Sequence, residues 1–286
     1  TQTFLGVSAG LNNAVDDGNT YIGVRAGRDN TTGHNGTFLG TNAGRDSTGN
    51  QNTYIGSSAG QTANAGSLSV AVGMSACIDN EAAENTCVGA YSGNLGTISG
   101  VANSMFGGYS GQKLTSGAFN TFIGDGAGSG ITTQSDNTLV GGGVMSVSTG
   151  ARNVMIGRST GRLNYGDNNV FIGAEVGYSG GFGSNKLLID NSDITTPLIY
   201  GDFSANTLSV NGNVGVGTTN PATTLEVNGN AQFGSGATKS TFTTTGALTM
   251  AGNAALTLSG ATGNITTASS VTASAFFGSG AALTGI

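Results

Sequence analysis

The chain has 286 residues, including 52 glycines, two prolines, two cysteines, one histidine and no tryptophan, and its formal charge is −6. With only nine Lys and Arg it has no basic stripe to neutralise phosphates, which excludes nucleic acid as a partner. No apolar run reaches the ~20 residues of a membrane helix, and glycine without a G-X-Y period excludes collagen.

Residues 1–180 repeat one short phrase. Thr3-Phe4-Leu5-Gly6 with Ala9-Gly10 returns as Thr20-Tyr21-Ile22-Gly23 with Ala26-Gly27, then as Thr37-Phe38-Leu39-Gly40 with Ala43-Gly44. Thr53-Tyr54-Ile55-Gly56 with Ala59-Gly60 comes next, and looser copies are marked by Gly73, Gly89, Gly107, Gly124, Gly141, Gly157 and Gly173. The marker glycines lie 16 to 18 residues apart throughout, as their numbering shows. Eleven copies at so steady a period predict a solenoid, in which each coil needs few apolar positions and many tight turns.

Within each copy a β-branched or aromatic run bounded by Gly and Asn predicts a strand. The remaining length predicts a turn, a second short strand and another turn, so that each copy is one coil of an all-β roll. Asn stands four residues before the marker at Asn19, Asn52, Asn85, Asn103, Asn120, Asn137, Asn153 and Asn169. Because Asn tolerates left-handed backbone, a stacked Asn column at the turn is expected.

The two residues before each marker are both apolar. Phe4-Leu5, Tyr21-Ile22, Phe38-Leu39, Tyr54-Ile55, Phe122-Ile123 and Phe171-Ile172 are the clearest pairs. Strand neighbours face opposite ways, so one member of each pair fills the roll and the other points out of it; the pattern alone does not say which. The outward members make a stripe longer than a soluble monomer carries, and a cyclic homotrimer is the expected way to cover it.

Cys77 and Cys87 are too few for a disulfide framework. Cys87 takes the slot of Phe4 and Tyr21, as a small core residue; a bridge between the two is open, and reduced thiols are the favoured expectation.

After Gly177 the pattern breaks. Leu187–Asn191 and Pro197–Tyr200 predict two strands joined by a turn, a transition or cap over 181–204. From 205 to 286, Leu208-Ser209-Val210-Asn211-Gly212 recurs as Leu225-Glu226-Val227-Asn228-Gly229, and Asn-Gly signals hairpins. Leu248-Thr249-Met250 and Leu256-Thr257-Leu258 alternate with period two, and Phe233–Ala237 recurs as Phe277–Ala281. This stretch is too poor in large apolar groups for a monomeric core, so an intertwined fibrous β stalk of three chains is expected.

Ser69-Val70-Ala71-Val72-Gly73 resembles the head repeats of trimeric autotransporter adhesins, which implies a left-handed parallel β-roll, trimeric and bound to host surfaces. The Asn-Thr-Phe/Tyr-Ile/Leu-Gly form is longer in period and looks like repeats of bacteriophage tail-fibre-like proteins and bacterial surface proteins. Asn213-Val214-Gly215-Val216-Gly217-Thr218-Thr219-Asn220-Pro221 and Ala275–Ile286 are similar to phrases of such fibres. The resemblance implies a host-surface receptor (glycan or protein), other virion or fibre proteins as partners, and a location in the virion or outside the cell. The chain opens on Thr1 inside a repeat, which reads as a fragment or processed piece.

No catalytic, cofactor or metal site is expected. Gly-x-Ser-x-Gly occurs around Ser8, Ser58, Ser159 and Ser179 in repeat register, and His34 is the sole histidine, so no triad can be named. Gly124-x-Gly126-x-Gly128 has no following helix, and Asp16-Asp17 and Asp125 lack a calcium-repeat spacing. Two stacked features are candidate ligand contacts: Arg28 and Arg45, each followed by Asp, and Tyr91 with Tyr109, both expected to pack against the roll. A structural and adhesive fibre protein, a phage tail-fibre segment first, is the favoured reading. A bacterial trimeric adhesin or filament subunit is the alternative, and an ice-binding solenoid a distant one.

Overall fold

The computed structural model describes residues 1–14, 18–64, 66–147, 149–163, 166–235, 238–242 and 248–250. Among these there is no helix, and the strands divide into two compact units, Thr1–Gly212 and Asn213–Ile286.

The first unit is a β-solenoid of about eleven turns. Its strands are β1 (Thr3–Leu5), β2 (Thr20–Ile22), β3 (Thr37–Leu39), β4 (Thr53–Ile55), β5 (Val70–Val72) and β6 (Thr86–Val88). They continue as β7 (Ser104–Phe106), β8 (Thr121–Ile123), β9 (Thr138–Val140), β10 (Val154–Ile156) and β11 (Val170–Ile172). Each pairs in parallel with the next in strict repeat register, Phe4 on Tyr21, Tyr21 on Phe38, and Met155 on Phe171. The register holds because a slip of one residue would swap the inward and outward faces of every strand.

Each coil holds a single three-residue strand. The second short strand expected from the repeat is replaced by a run of turns that still bonds to the next coil, as Gly10 N to Ala26 O (3.0 Å) and Gly27 N to Ala43 O (3.0 Å). The cause is backbone conformation: the residues two and four after the marker sit at positive φ, for example Arg25 (55°) and Gly27 (55°), which no extended strand allows.

The marker glycine is demanded twice over. Gly124 has φ +131°, and a Cβ built on it would lie 2.5 Å from the carbonyl oxygen of Gly141, the next marker. Backbone therefore stacks on backbone at this column. Four residues on, the glycine makes room for a ring: a Cβ on Gly27 would lie 2.6 Å from the ring of Tyr21. Coil 5 has Ala71 in place of that ring, and there Cys77 takes the glycine slot with φ 43°. Its sulfur is bonded to Cys87 of the next coil, with the Cα atoms 5.8 Å apart and both residues wholly buried. The expectation of reduced thiols is thus corrected: the repeat geometry brings the two positions within disulfide reach.

The interior is a column of the middle strand residues, all at most 1% exposed from Tyr21 to Phe171, and it ends on Leu188. Phe4, Tyr21, Phe38 and Tyr54 stack as parallel rings, with centroids 4.8 to 5.0 Å apart. Buried beside them runs the Asn column. Asn120 N donates to Asn103 Oδ1 (3.0 Å), Asn137 N to Asn120 Oδ1 (3.0 Å) and Asn153 N to Asn137 Oδ1 (3.0 Å). The column exists as expected, but its reason differs. The left-handed residue is the one before each Asn, such as Phe119 (58°) and Asp136 (62°). The Asn side chains serve instead as a ladder that satisfies buried backbone from one coil to the next.

β12 (Lys186–Ile189) adds to β11 in parallel, and β13 (Ile199–Asp202) and β14 (Thr207–Val210) continue antiparallel. Lys186 pairs with Asp202 across β12 and β13 (2.6 Å). Asn211 turns back on 197–198 through Asn211 Nδ2 to Pro197 O (2.7 Å), so Asn211-Gly212 does not form the expected hairpin.

In the second unit β15 (Val214–Val216) pairs in parallel with β16 (Leu225–Val227). β17 (Ala231–Ser235), β18 (Thr238–Phe242) and β19 (Leu248–Met250) form an antiparallel sheet. The phrases at 256–258, 275–286 and 277–281 lie outside the described residues.

Two outcomes test this packing. Gly124→Ala costs ~2–4 kcal/mol in denaturant unfolding, by strain plus coil displacement. Gly142→Ala, where a Cβ meets nothing nearer than Asp125 O at 3.8 Å, stays within ~0.5 kcal/mol; equal losses contradict the stacking. Burial pushes the Tyr21 phenol up to about 12, against an opposing hydrogen bond from Asn30. Its stabilising share is present below the unfolded value of 10.0 and is lost as pH rises through the folded one. Unfolding measured at pH 9 and 11 then shows a smaller loss in Tyr21→Phe than in the parent chain, and equal losses contradict it.

Candidate functional site

A three-residue strand sends its middle side chain inward and its two ends outward. The structure therefore separates the apolar pairs. Phe4, Tyr21, Phe38, Tyr54, Phe122 and Phe171 form the inner column, with Phe4 more open because only one coil covers it. Leu5, Ile22, Leu39, Ile55, Ile123 and Ile172 belong to the outer one, joined by Val72, Val88, Phe106, Val140 and Ile156. Ile123 is 43% exposed and Ile156 42%, against 0% for Phe122 and Met155. At about 4.8 Å per coil, eleven outward residues extend over roughly 48 Å.

A second row runs beside this column, as the Thr spacing in the sequence leads one to expect. The first residue of each strand faces the same way, so Thr3, Thr20, Thr37, Thr53, Thr86, Thr121 and Thr138 line it on one side, with Val70, Ser104, Val154 and Val170 completing the row. The result is a two-column face, one aliphatic and one mostly hydroxylated. Period-two alternation within the strand carried that signal.

The turn side carries the candidate ligand contacts. Arg28 Nε donates to Asp29 (2.8 Å) and Arg45 Nε to Asp46 (2.8 Å), each within its own coil. The Arg28 guanidinium, helped by Asn12 (2.6 Å), holds the Asp29 carboxyl down at about 2. These arginines are thus already occupied. Tyr91 and Tyr109 do form a stacked pair, with centroids 5.3 Å apart and ring planes 18° from parallel. They do not pack into the roll. Both sit at positive φ, 59° and 55°, two residues after their markers; Tyr109 is 46% exposed and Tyr91 half-buried. Met74 of the preceding coil extends the pair, with Tyr91 OH 3.8 Å from its sulfur.

Arg45 in coil 3 and Tyr91 in coil 6 are three coils apart, roughly 14 Å. The four residues therefore make two local features and not one pocket. Three of the Gly-x-Ser-x-Gly serines have a conformational role: Ser8, Ser58 and Ser159 occupy the left-handed position two after the marker, at φ 56–58°, whereas Ser179 stands six after Gly173, out of that register, and bonds to Asp193. His34 lies beside Asn35, its Nδ1 3.2 Å from Asn35 Nδ2.

Comparison with protein-family models, curated proteins and solved structures finds no match to this chain.

Accessibility of the turn side is open to direct measurement. Tetranitromethane followed by peptide mass mapping nitrates Tyr109 in native material and spares Tyr21 and Tyr54, which are fully buried. Protection of Tyr109 contradicts a solvent-open turn face.

Proposed function

We propose that this chain is a structural and adhesive fibre protein that works as a homotrimer, in the first instance a segment of a viral tail fibre that attaches to a host cell surface. The observation that carries the reading is the outward aliphatic column. Monomeric soluble proteins rarely expose contiguous apolar patches beyond a few hundred Å², and larger ones mark association sites. Three copies about one axis would turn their columns toward one another and leave the turn sides facing out. Three identical outer faces raise avidity for repeated surface receptors without any new contact. The same arrangement serves a bacterial surface adhesin or filament subunit.

One observation favours a second reading. The Thr row stands on the outward face, where an ice-binding solenoid presents one, although Val70, Val154 and Val170 interrupt it. Thermal hysteresis in a freezing assay separates the two, since a face buried in a trimer gives none.

The test of the fibre reading uses the paired substitution Ile123→Asp with Ile156→Asp. The parent chain cross-links to a trimer at micromolar concentration and binds host cells. The variant keeps its β circular dichroism, cross-links only as monomer and loses roughly 100-fold in cell-surface avidity. A variant that stays trimeric, or a parent chain that binds no cells, overturns it.

A further inference from the structure

The column of side chains five residues after each marker runs along the turn side. It contains Arg28 and Arg45 near one end, and Ser146, Arg162 and Tyr178 near the other. Arg28 and Arg45 are each followed by an Asp that neutralises them. Arg162 is followed by Leu163, so the repeat withholds its counter-ion at this coil.

What holds Arg162 is neutral. Its Nε donates to Ser146 Oγ (3.2 Å), its Nη1 donates to the Tyr178 hydroxyl, and its guanidinium carbon lies 5.2 Å from the centre of the Tyr178 ring. No carboxylate among the described residues pairs with it, and Nη2 makes no hydrogen bond among them. A cation fixed on an aromatic ring with one edge unspent is a prepared anion contact.

Around it lies an open depression of about 560 Å³ lined by Arg158, Ser159, Arg162, Glu175, Tyr178 and Asp193. Arg158 and Glu175 neutralise each other across adjacent coils, and Asp193 is held by Ser179, whose N–H donates to Asp193 Oδ1 (3.1 Å). The lining's two guanidinium and two carboxylate charges sum to zero, but Arg162 is the cation that no carboxylate pairs with, set beside two anchored carboxylates and the Ser159 hydroxyl. Carboxylate and hydroxyl oxygens accept hydrogen bonds from a polyol, and the depression falls in the volume range of small-molecule sites. An apolar ligand has nothing to bury here.

We propose that this depression binds a saccharide bearing a carboxylate, with the ligand carboxylate on Arg162 and its hydroxyls on Glu175, Asp193 and Ser159. Arg162 is the specificity-determining residue, and Tyr178 positions it. The assignment rests on the attachment reading for its biological meaning, since it names the receptor chemistry, but the binding itself does not require a cell.

The experiment is saturation-transfer NMR and titration on the full chain with glucuronic acid and N-acetylneuraminic acid as probes. Galactose serves as the neutral sugar and acetate as the simple carboxylate. An acidic sugar is expected to bind, with galactose and acetate each at least roughly tenfold weaker. Arg162→Gln loses roughly tenfold in acidic-sugar affinity with unchanged thermal unfolding, and Arg162→Lys recovers part of it. Equal binding of galactose, equal binding of acetate, or an Arg162→Gln variant that binds as well as the parent overturns the site. Cell attachment by the parent that Arg162→Gln leaves unchanged overturns the site as receptor contact while the fibre reading stands. Acidic-sugar binding without cell attachment supports the site and removes the fibre reading.

Discussion

A strand of three residues can turn only one side chain inward, and that limit governs the first unit. Each strand contributes one interior group, its middle residue, joined in some coils by a residue outside the strand such as Ile98, Leu114, Ile131 or Met145, and the two flanking strand residues go to the outside whatever their chemistry. Where Leu, Ile or Val occupies the last of these, the fold cannot hide it. Stacking in register then converts a single exposed aliphatic per coil into a continuous column. The proposed association arises from that accumulation; no single strong contact is needed.

The other devices keep the coils close enough for the column to form. Marker glycines let backbone lie on backbone, the second glycines admit the stacked rings, and the Asn ladder carries hydrogen bonds along the axis of stacking. Each acts between neighbours only, so stability accumulates coil by coil as it does in repeat proteins generally. At coils 5 and 6 the ring is missing from the interior, and the bond between Cys77 and Cys87 crosses the thinner core. Lys186 and Asp202 tie the last parallel strand to its antiparallel successor.

Much of this is legible in the sequence. The period of the marker glycines announces a solenoid, and Phe-Leu or Tyr-Ile pairs announce that one member must face out. Which member cannot be read, because both are apolar; the ring clash with the second glycine decides it for Tyr21. The second strand is an expectation from length alone, and positive φ at residues such as Arg25 defeats it without any sequence mark, since Arg seldom adopts that region. Asn211-Gly212 misleads because its side chain finds Pro197 instead of a hairpin partner. For Tyr91 and Tyr109 the pairing is readable and the placement is not, since spacing gives register but not the sign of φ. Arg162 escapes notice because its distinction is a missing neighbour: only beside Arg28-Asp29 and Arg45-Asp46 does Leu163 carry meaning.

The proposal that three chains cover the aliphatic column stands or falls most directly on the mass of the native particle. Sedimentation equilibrium of the purified chain, diluted from micromolar to nanomolar, should return three chain masses across the range. A single chain mass at micromolar concentration, with the column open to water, would contradict the account.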